Sequence, residues 1–239
     1  MDFTADVTAQ MKAFGITLTE EKAVAFTTYY ERLVETNQYM NLTAITEPHE
    51  VAVKHMVDSL SCYDKVVFVP ESKVLDLGTG AGFPGIPLAI YDSRLHITLF
   101  DSLRKRLRFL EDVAVELGLS NVTTLHGRAE DMVHRIEHRD MYDIVTSRAV
   151  ARLNVLAEWA LPYVRNGGYL IALKGAAYEE EIKEAERALS ILGGTVAEVR
   201  PVTLPTLADK RAVIYIKKTG MTPKKYPRKP KEIKERPLR

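Results

Sequence analysis

The 239-residue sequence has a single cysteine, Cys62, and a single tryptophan. One cysteine cannot form an internal disulfide bond, and no window approaches the ~20 apolar residues of a membrane-spanning helix. The first twelve residues, MDFTADVTAQMK, carry acidic and polar side chains where a signal peptide needs an apolar stretch. We therefore expect a cytoplasmic protein that makes no contact with a membrane.

Glycine and proline are also scarce, at 13 and 11 residues, beside 46% hydrophobic and 27% charged residues. This composition is typical of a globular protein and excludes collagen, coiled coil and general disorder. The net charge of +1 is unevenly distributed, because residues 217–239 hold ten basic and two acidic side chains. The rest of the chain has seven more acidic than basic side chains. Such asymmetry indicates either a polyanionic partner or a solubilising end.

The hydrophobic pattern predicts three regions: a helical region over residues 1–70, an α/β domain over 71–218 and a basic, proline-rich tail over 219–239. In the first region, apolar residues recur at helical spacing over 19–36 and 48–63, with an Asn- and Thr-rich loop over 37–48. Thr17 and Glu20 have the spacing of a capping box. The tail, with four prolines in 221–239, is expected to lack fixed structure of its own.

Short apolar runs alternate with amphipathic stretches from Lys73 onward. The runs predict strands at 73–78, 95–100, 121–126, 142–147, 168–175, 195–204 and 211–218. Helices are expected between them at 102–118, 151–164 and 178–191. Strands that are separated by helices and apolar on both faces indicate a mostly parallel sheet. The last two strands are close enough in sequence to form an antiparallel hairpin at one edge.

A glycine-rich turn, VLDLGTGAGFPGIPLAI (74–90), follows the first strand directly. Glycine permits positive φ and lets backbone N–H groups approach a ligand. The spacing of Gly80, Gly82 and Gly85 also satisfies the dinucleotide fingerprint, which alone is weak evidence. Asp76 before Gly78 suits an ammonium group and would repel a pyrophosphate. The turn therefore resembles the first motif of class I S-adenosylmethionine-dependent methyltransferases, and capping of turn amides by Asp76 is the alternative role.

Two further acidic positions follow the second and third predicted strands, in the order found in sites that bind a nucleoside. Asp101 ends the second strand. A carboxylate at this position can accept hydrogen bonds from ribose hydroxyls, both in dinucleotide-binding folds and in class I methyltransferases. The turn GRAED (127–131) follows the third strand, where class I methyltransferases hold adenine. Together with the glycine turn, these positions favour S-adenosylmethionine as cofactor, in a Rossmann-like sheet of seven strands.

The end of the fourth strand carries information about the methyl acceptor. Its sequence is Ser147-Arg148-Ala149-Val150, without the Pro-Pro-aromatic motif of exocyclic amine methyltransferases. The lone Cys62 lies in the helical region, which disfavours the cysteine-dependent methylation of pyrimidine carbons. Ribose oxygen, a ring nitrogen or a small molecule remain as acceptors.

Seven segments together resemble the bacterial small-subunit ribosomal RNA guanine-N7 methyltransferases, also called the glucose-inhibited division protein B family. They are NLTAI (41–45), HMVDSL (55–60), the glycine turn, FDSLRKRLRFL (100–110), GRAED, TSRAV (146–150) and LKG (173–175). The resemblance runs from about Asn37 to the tail, although the final KEIKERPLR departs from the expected ending. It implies methylation of N7 of a guanine in 16S rRNA, with the rRNA or the small subunit as partner.

The resemblance also implies roles for individual residues. The cofactor would be bound by residues of the turn, the second strand end and the acidic turn: Asp76, Gly78, Gly80, Gly82, Phe83, Asp101, Ser102, Ala129, Glu130 and Arg148. Arg148 and Lys174 are the candidates for orienting the substrate, and an ion pair of Arg148 with Asp143 or Asp76 is the alternative. His55 and Asp58 share a helical face and either line the pocket or face solvent. We expect no metal site, because the histidines lack paired ligand spacing.

Three alternatives stay open on sequence alone. A class I methyltransferase of a small molecule or protein would not need the basic tail for activity. A non-catalytic RNA-binding ribosome-assembly factor would bind cofactor without turnover. A dehydrogenase would bind reduced nicotinamide. We expect a monomer.

Overall fold

The computed structural model describes residues 2–239 and contains one sheet of seven strands. The strands are β1 (Lys73–Leu77), β2 (His96–Asp101), β3 (Val122–His126), β4 (Tyr142–Arg148), β5 (Val164–Lys174), β6 (Gly194–Val202) and β7 (Arg211–Lys218). Their order across the sheet is β3-β2-β1-β4-β5-β7-β6. Strands β1 to β5 pair in parallel, and β7 pairs antiparallel with both β5 and β6. The predicted parallel sheet with a terminal hairpin is therefore confirmed.

Ten α-helices and one π-helix surround this sheet within residues 2–239. They are α1 (Phe3–Ala13), α2 (Glu20–Met40), α3 (Pro48–Val51), the π-helix (Ala52–Val57), α4 (Asp58–Leu60), α5 (Gly85–Tyr91), α6 (Arg104–Glu116), α7 (Ala129–Met132), α8 (Leu153–Ala160), α9 (Tyr178–Leu192) and α10 (Pro230–Glu235). No helix in this part of the chain is long and apolar enough to cross a membrane.

The two faces of the sheet bury separate hydrophobic clusters. Along β1, Val74 belongs to the cluster formed with α1, α2, the π-helix, α5 and α6, whereas its neighbour Leu75 belongs to the cluster formed with α8 and α9. This alternation follows from the period of two along a strand. The N-terminal helices thus pack on the same face as α5 and α6, and the predicted boundary at residue 70 stays a prediction.

The N-terminal helices differ in detail from the predicted ones. Helix α2 is capped by the side chain of Thr19, which accepts a hydrogen bond from the Lys22 N–H at 3.4 Å, so the expected Thr17 capping box is wrong. The helix extends to Met40 and ends at Asn41, whose φ of 50° is the left-handed conformation that asparagine tolerates. The second predicted helix contains the π-helix and ends at Leu60.

The C-terminal tail has fixed structure, which corrects the expectation that it would have none. It includes α10 and buries Tyr226 and Ile233. The guanidinium of Arg228 donates to both carboxylate oxygens of Glu158 on α8, at 2.8 Å from Nε and 2.7 Å from Nη2. Arg139 donates to the carbonyls of Tyr226 and Thr222, each at 3.0 Å. Partners far away in sequence supply the contacts that the proline-rich tail lacks locally.

The strand order determines where a ligand can bind. Strand β1 lies between β2 and β4, so the chain leaves β1 toward one side of the sheet and β4 toward the other. In open α/β sheets, ligands bind at the carboxyl ends of the strands at such a switch point. The glycine turn, Asp101 and Arg148 all stand at this edge, directly at the ends of β1, β2 and β4.

Candidate functional site

The turn between β1 and α5 depends on glycines with positive φ. Gly78, Gly80 and Gly82 have φ values of 75°, 60° and 109°. A Cβ on Gly82 would lie 2.7 Å from the Tyr29 hydroxyl, and one on Gly78 would lie 2.5 Å from Cγ2 of Val150. Gly80 faces open space, with its closest neighbour at 3.9 Å. The turn is thus packed tightly on its inner side and accessible at Gly80.

Asp76 lies beneath this turn and is fully buried. Its Oδ2 accepts hydrogen bonds from the Thr79 hydroxyl at 2.6 Å and from the Gly85 N–H at 2.9 Å. Burial raises the pKa of Asp76 to about 6, although the hydrogen bonds from Thr79 and Gly85 partly offset this effect. The carboxylate therefore ties the turn to the start of α5. Its contact with a cofactor ammonium stays a prediction.

Asp101 connects the turn to the end of β2. Its Oδ2 accepts from the Gly80 N–H at 3.0 Å, and its Oδ1 accepts from the Leu103 N–H at 2.8 Å. Because each carboxylate oxygen has a second lone pair, Asp101 retains acceptor capacity. The contact with Gly80 fixes the carboxylate next to the accessible side of the turn.

A cavity of about 480 Å³ opens beside these residues, and we name it the glycine-turn cavity. It is lined by Leu77, Gly78, Phe100, Asp101, Ser102, Arg106, Gly127, Arg128, Ala129, Glu130, Ala149, Val150 and Trp159. Two acidic and two basic side chains balance one another in this lining. The Nε1–H of Trp159 is buried and has no hydrogen-bond partner among residues 2–239. The cavity thus offers the Asp101 carboxylate as an acceptor, and its lining has no excess positive charge for a pyrophosphate.

A second cavity of about 540 Å³ adjoins the first, and we name it the arginine cavity. The two cavities share Ala149 and Val150 at the end of β4. The charged or titratable side chains in its lining are Lys54, His55, Asp58, Arg148, Lys174, Glu181 and Arg211. They come from the π-helix, α4, α9 and the ends of β4, β5 and β7. This lining has more basic than acidic side chains.

Arg148 is held at the wall of the arginine cavity by several contacts. Its Nη1 donates to Oδ2 of Asp58 at 2.9 Å and to the Lys54 carbonyl at 3.0 Å. Its guanidinium carbon lies 4.8 Å from the centroid of the Phe83 ring, a cation–π distance. The expected ion pair with Asp143 or Asp76 is therefore wrong, and Asp143 instead pairs with Arg165. Asp58 lies on a helix 90 residues before Arg148 in the chain, so the sequence around the end of β4 does not reveal this partner.

His55 lies between Arg148 and Phe83 and is neutral. Burial and the nearby Arg148 cation lower its pKa to about 3. Nδ1 is 3.2 Å from Nη2 of Arg148 and also 3.2 Å from the Lys54 carbonyl oxygen. Nε2 lies 2.8 Å from the Thr43 hydroxyl, which can donate or accept. Both ring nitrogens of His55 therefore have polar partners within the protein.

Lys174, at the end of β5, is nearly buried in the same cavity. Its ammonium lies 2.7 Å from Oε2 of Glu181 and also donates to the Ala151 carbonyl. Burial lowers the pKa of Lys174, and the hydrogen bond to Glu181 opposes that shift. The lysine therefore bridges β5, α9 and the segment after β4.

The structure places seven of the predicted site residues in the linings of the two cavities, whereas Asp76, Gly80, Gly82 and Phe83 belong to neither lining. Those lining the glycine-turn cavity are Gly78, Asp101, Ser102, Ala129 and Glu130; those lining the arginine cavity are Arg148 and Lys174. Phe83 stacks on His55 with ring centroids 4.4 Å apart. Sequence reasoning missed Arg106, Arg128 and Trp159 in the first cavity and Lys54, Glu181 and Arg211 in the second. Within residues 2–239, no cluster of three or more His, Cys, Asp or Glu side chains is suited to a metal ion.

Comparison with known structures shows the fold. A precorrin-6y C5,15-methyltransferase from Geobacter metallireducens matches with a TM-score of 0.52 and 16% identity, over 75% of this chain and 92% of that chain. TYW2 of M. jannaschii in complex with AdoMet matches with a TM-score of 0.52 and 17% identity, over 67% and 76% of the two chains. The fold is that of class I S-adenosylmethionine-dependent methyltransferases.

Comparison with protein sequences shows the family. Residues 22–210 match the family described as GidB, rRNA small subunit methyltransferase G. Relatives named ribosomal RNA small subunit methyltransferase G are 47% identical in Desulforamulus reducens, over 95% of both chains, and 46% identical in Bacillus pumilus, over 97% of both. A third relative of this name, from Staphylococcus aureus, is 47% identical over 96% of this chain and 95% of its own. The chain therefore belongs to the rRNA small subunit methyltransferase G family.

Proposed function

We propose that the protein transfers a methyl group from S-adenosylmethionine to N7 of a guanine in the 16S rRNA of the small ribosomal subunit. The family membership supports the RNA substrate, and the two adjoining cavities support a two-substrate reaction. Because its substrate is ribosomal RNA, we place the protein in the cytoplasm. The observation that carries the choice of N7 is that each acidic or imidazole side chain described in the arginine cavity, Asp58, Glu181 and His55, already contacts a basic side chain of the protein.

The glycine-turn cavity fits the cofactor. In this proposal Asp101 accepts hydrogen bonds from the ribose hydroxyls while it holds Gly80, and Ala129 and Glu130 contact the adenine; their position in the lining supports these roles. When bound, S-adenosylmethionine supplies a methyl group on a sulfonium for in-line displacement. Ala149 and Val150, shared by both cavities, form the boundary between the cofactor and the acceptor.

The arginine cavity suits an acceptor that keeps its protons. Both oxygens of Asp58 accept from arginines, Oδ2 from Arg148 at 2.9 Å and Oδ1 from Arg211 at 2.7 Å. Glu181 accepts from Lys174 and from the Leu153 N–H. His55 has polar partners at both ring nitrogens, Arg148 and Lys54 at Nδ1 and Thr43 at Nε2. N7 of guanine has an in-plane lone pair and loses no proton on methylation, whereas an attacking hydroxyl requires a general base.

Arg148 is the proposed orienting residue for the guanine. Its planar fork is fixed by Asp58, Lys54 and Phe83, so little reorganisation is needed when it binds O6 or a phosphate. Methylation at N7 adds positive charge to the base, which the cations of this cavity disfavour. The carboxylates of Asp58 and Glu181 offset part of that cost.

Treatment of RNA with borohydride and aniline tests the assignment, because these reagents cleave the strand at N7-methylguanine. Small subunits that lack the modification are incubated with cofactor and enzyme, and with Gly80→Val as a control whose side chain fills the open face of the turn. We expect one strand break with the native protein and none with the control. Methyl label on ribose, without a break, contradicts the assignment to N7.

The role of Arg148 is tested separately by comparing turnover with cofactor affinity. Arg148→Ala is expected to lower turnover by roughly 100-fold, about 2.7 kcal/mol, and to change cofactor affinity less than threefold. Arg148→Lys is not expected to restore turnover, because an ammonium lacks the planar fork. Equal losses of turnover and cofactor affinity contradict this role and place the arginine on the cofactor.

A further inference from the structure

Asp58 holds two arginines that come from different strands of the sheet. It lies at the start of α4 and is 7% exposed. Its Oδ2 accepts from Nη1 of Arg148 at the end of β4, at 2.9 Å, and its Oδ1 accepts from Nη1 of Arg211 at the start of β7, at 2.7 Å. One carboxylate thus fixes two guanidinium groups at the wall of the arginine cavity.

The two arginines have donors that Asp58 does not use. The Nε–H of Arg211 is buried and has no partner among the described residues, although such a buried donor costs free energy when it is left unpaired. Four basic side chains line the arginine cavity beside two acidic ones, and two of the basic ones, Lys54 and Arg211, also pair with Glu50 and Asp209 outside the lining. An unpaired arginine donor and a lining with more basic than acidic side chains indicate an anionic ligand.

We propose that Arg148 and Arg211 form a seat for one phosphate of the RNA backbone beside the acceptor guanine, and that Asp58 is the positioning residue of this seat. The proposal rests on the proposed function, which supplies RNA as the ligand. A phosphate accepts bidentate hydrogen bonds from arginine, and two guanidinium groups fixed by one carboxylate are pre-organised for it. Asp58 contacts no RNA atom and acts through the orientation of the two forks.

Removal of the Asp58 charge distinguishes positioning from simple electrostatics. Asp58→Asn makes the cavity more positive by one unit, and in a purely electrostatic account RNA would then bind more tightly. If the carboxylate instead positions the two arginines, its loss frees both forks and RNA binds more weakly in spite of the added positive charge. The two accounts therefore predict opposite signs.

The test measures the affinity for unmodified small subunits by filter binding and the affinity for S-adenosylmethionine by the fluorescence of the single tryptophan, Trp159. For Asp58→Asn we expect RNA affinity to fall about tenfold and cofactor affinity to stay within twofold. Asp64→Asn is the matched control, because Asp64 accepts from Arg200 at 2.8 Å outside the arginine cavity and its substitution changes the net charge equally. We expect this control to bind RNA as the native protein does.

A second variant keeps the test informative if Asp58→Asn folds poorly. Arg211→Gln should also weaken RNA binding about tenfold, and combining it with Asp58→Asn should add little, because both changes disrupt one seat. Unchanged or tighter RNA binding in Asp58→Asn, or an equal loss in Asp64→Asn, overturns the proposal. A loss of cofactor affinity alone also overturns it, since the anion is then the cofactor's carboxylate. Binding is measured without methyl transfer, so failure of the N7 assignment is detected independently.

Discussion

The two adjoining cavities are built in different ways. The glycine-turn cavity is lined by segments that directly follow β1, β2, β3 and β4, together with Trp159 on α8. The arginine cavity combines the N-terminal π-helix and α4 with the ends of β4, β5 and β7. The first cavity has balanced charge, whereas the second has excess positive charge. The cofactor side therefore depends on local turns, and the acceptor side depends on contacts between distant segments.

The sequence distance between contacting groups makes this difference quantitative. Asp101 and Gly80, which contact each other on the cofactor side, are 21 residues apart. Asp58 and Arg211, which contact each other on the acceptor side, are 153 residues apart. Local turns are constrained by the residues within them, while the arginine cavity exists only when the N-terminal helices pack on the sheet. Substitutions should thus separate cofactor binding, RNA binding and stability.

The largest expected effect is on thermal stability. It concerns helix α8, which carries Trp159 of the glycine-turn cavity and which the tail contacts through Arg228. Arg228 pairs with Glu158, which is 0% exposed and precedes Trp159 on α8. Arg228→Ala removes the only cation that pairs with this buried carboxylate among the described residues and leaves it the N–H of residue 228, at 2.9 Å, a change that costs about 3 kcal/mol. We expect a melting temperature lower by roughly 10 °C, measured by calorimetry. The neighbouring exposed Lys229→Ala should leave it unchanged, and equal melting temperatures for the two variants would show that the tail does not support α8.

The next effect is confined to the cofactor side. Asp101→Ala removes the acceptor of the Gly80 N–H and, in the proposed complex, that of the ribose hydroxyls, each a charge-assisted hydrogen bond worth ~1.5–3 kcal/mol. Cofactor affinity, measured by titration of Trp159 fluorescence, should fall by at least tenfold, while affinity for small subunits stays within twofold. A parallel loss of RNA affinity would mean that the two cavities do not act separately.

The fold was predictable because its signals are local. Each strand is a short apolar run, and the glycine turn follows β1 without interruption, so sequence spacing alone predicts the sheet and the side of the sheet where the cofactor is proposed to bind. The cofactor-side residues Gly78 and Asp101 lie in these same runs. The predicted roles of Asp76 and Phe83 toward the cofactor stay predictions.

What sequence reasoning missed depends on contacts between remote segments. Asp58 and His55 are recognisable as one helical face, but their partner Arg148 is 90 or more residues away. The ordered tail was missed for the same reason, since Arg228 meets Glu158 across 70 residues. Local composition, with four prolines and many lysines, predicts a tail without fixed structure and carries no information about the surface that binds it.

The pH dependence of stability should separate the two regions further. The pKa of His55 in the arginine cavity is lowered to about 3 from 6.5, so below pH 6.5 the unfolded chain binds a proton that the folded chain does not. From pH 7 to pH 5 this costs about 2 kcal/mol of stability, which His55→Gln should remove.

Asp76 under the glycine turn acts oppositely, because its pKa is raised to about 6 and the folded chain binds the proton first. Asp76→Asn should therefore steepen the acid loss, and urea unfolding at both pH values measures the two slopes.

The smallest effect concerns the exposed cations of the tail, which belong to neither cavity. Lys224 and Lys229 are exposed, and their positive charge suits RNA phosphates without any reading of sequence. Substitution of both by glutamine should make the slope of log RNA affinity against log salt shallower by ~0.7 for each phosphate that the protein no longer neutralises. Deletion of the whole tail is a poorer test, because it also exposes Glu158. The matched control is Lys65→Gln with Lys73→Gln, since Lys73 begins β1 at the edge of the sheet opposite both cavities. An identical slope in the tail variant and the native protein would show that these lysines serve only as a solubilising surface. A shallower slope found only in the tail variant would show that the RNA-binding surface extends beyond the arginine cavity.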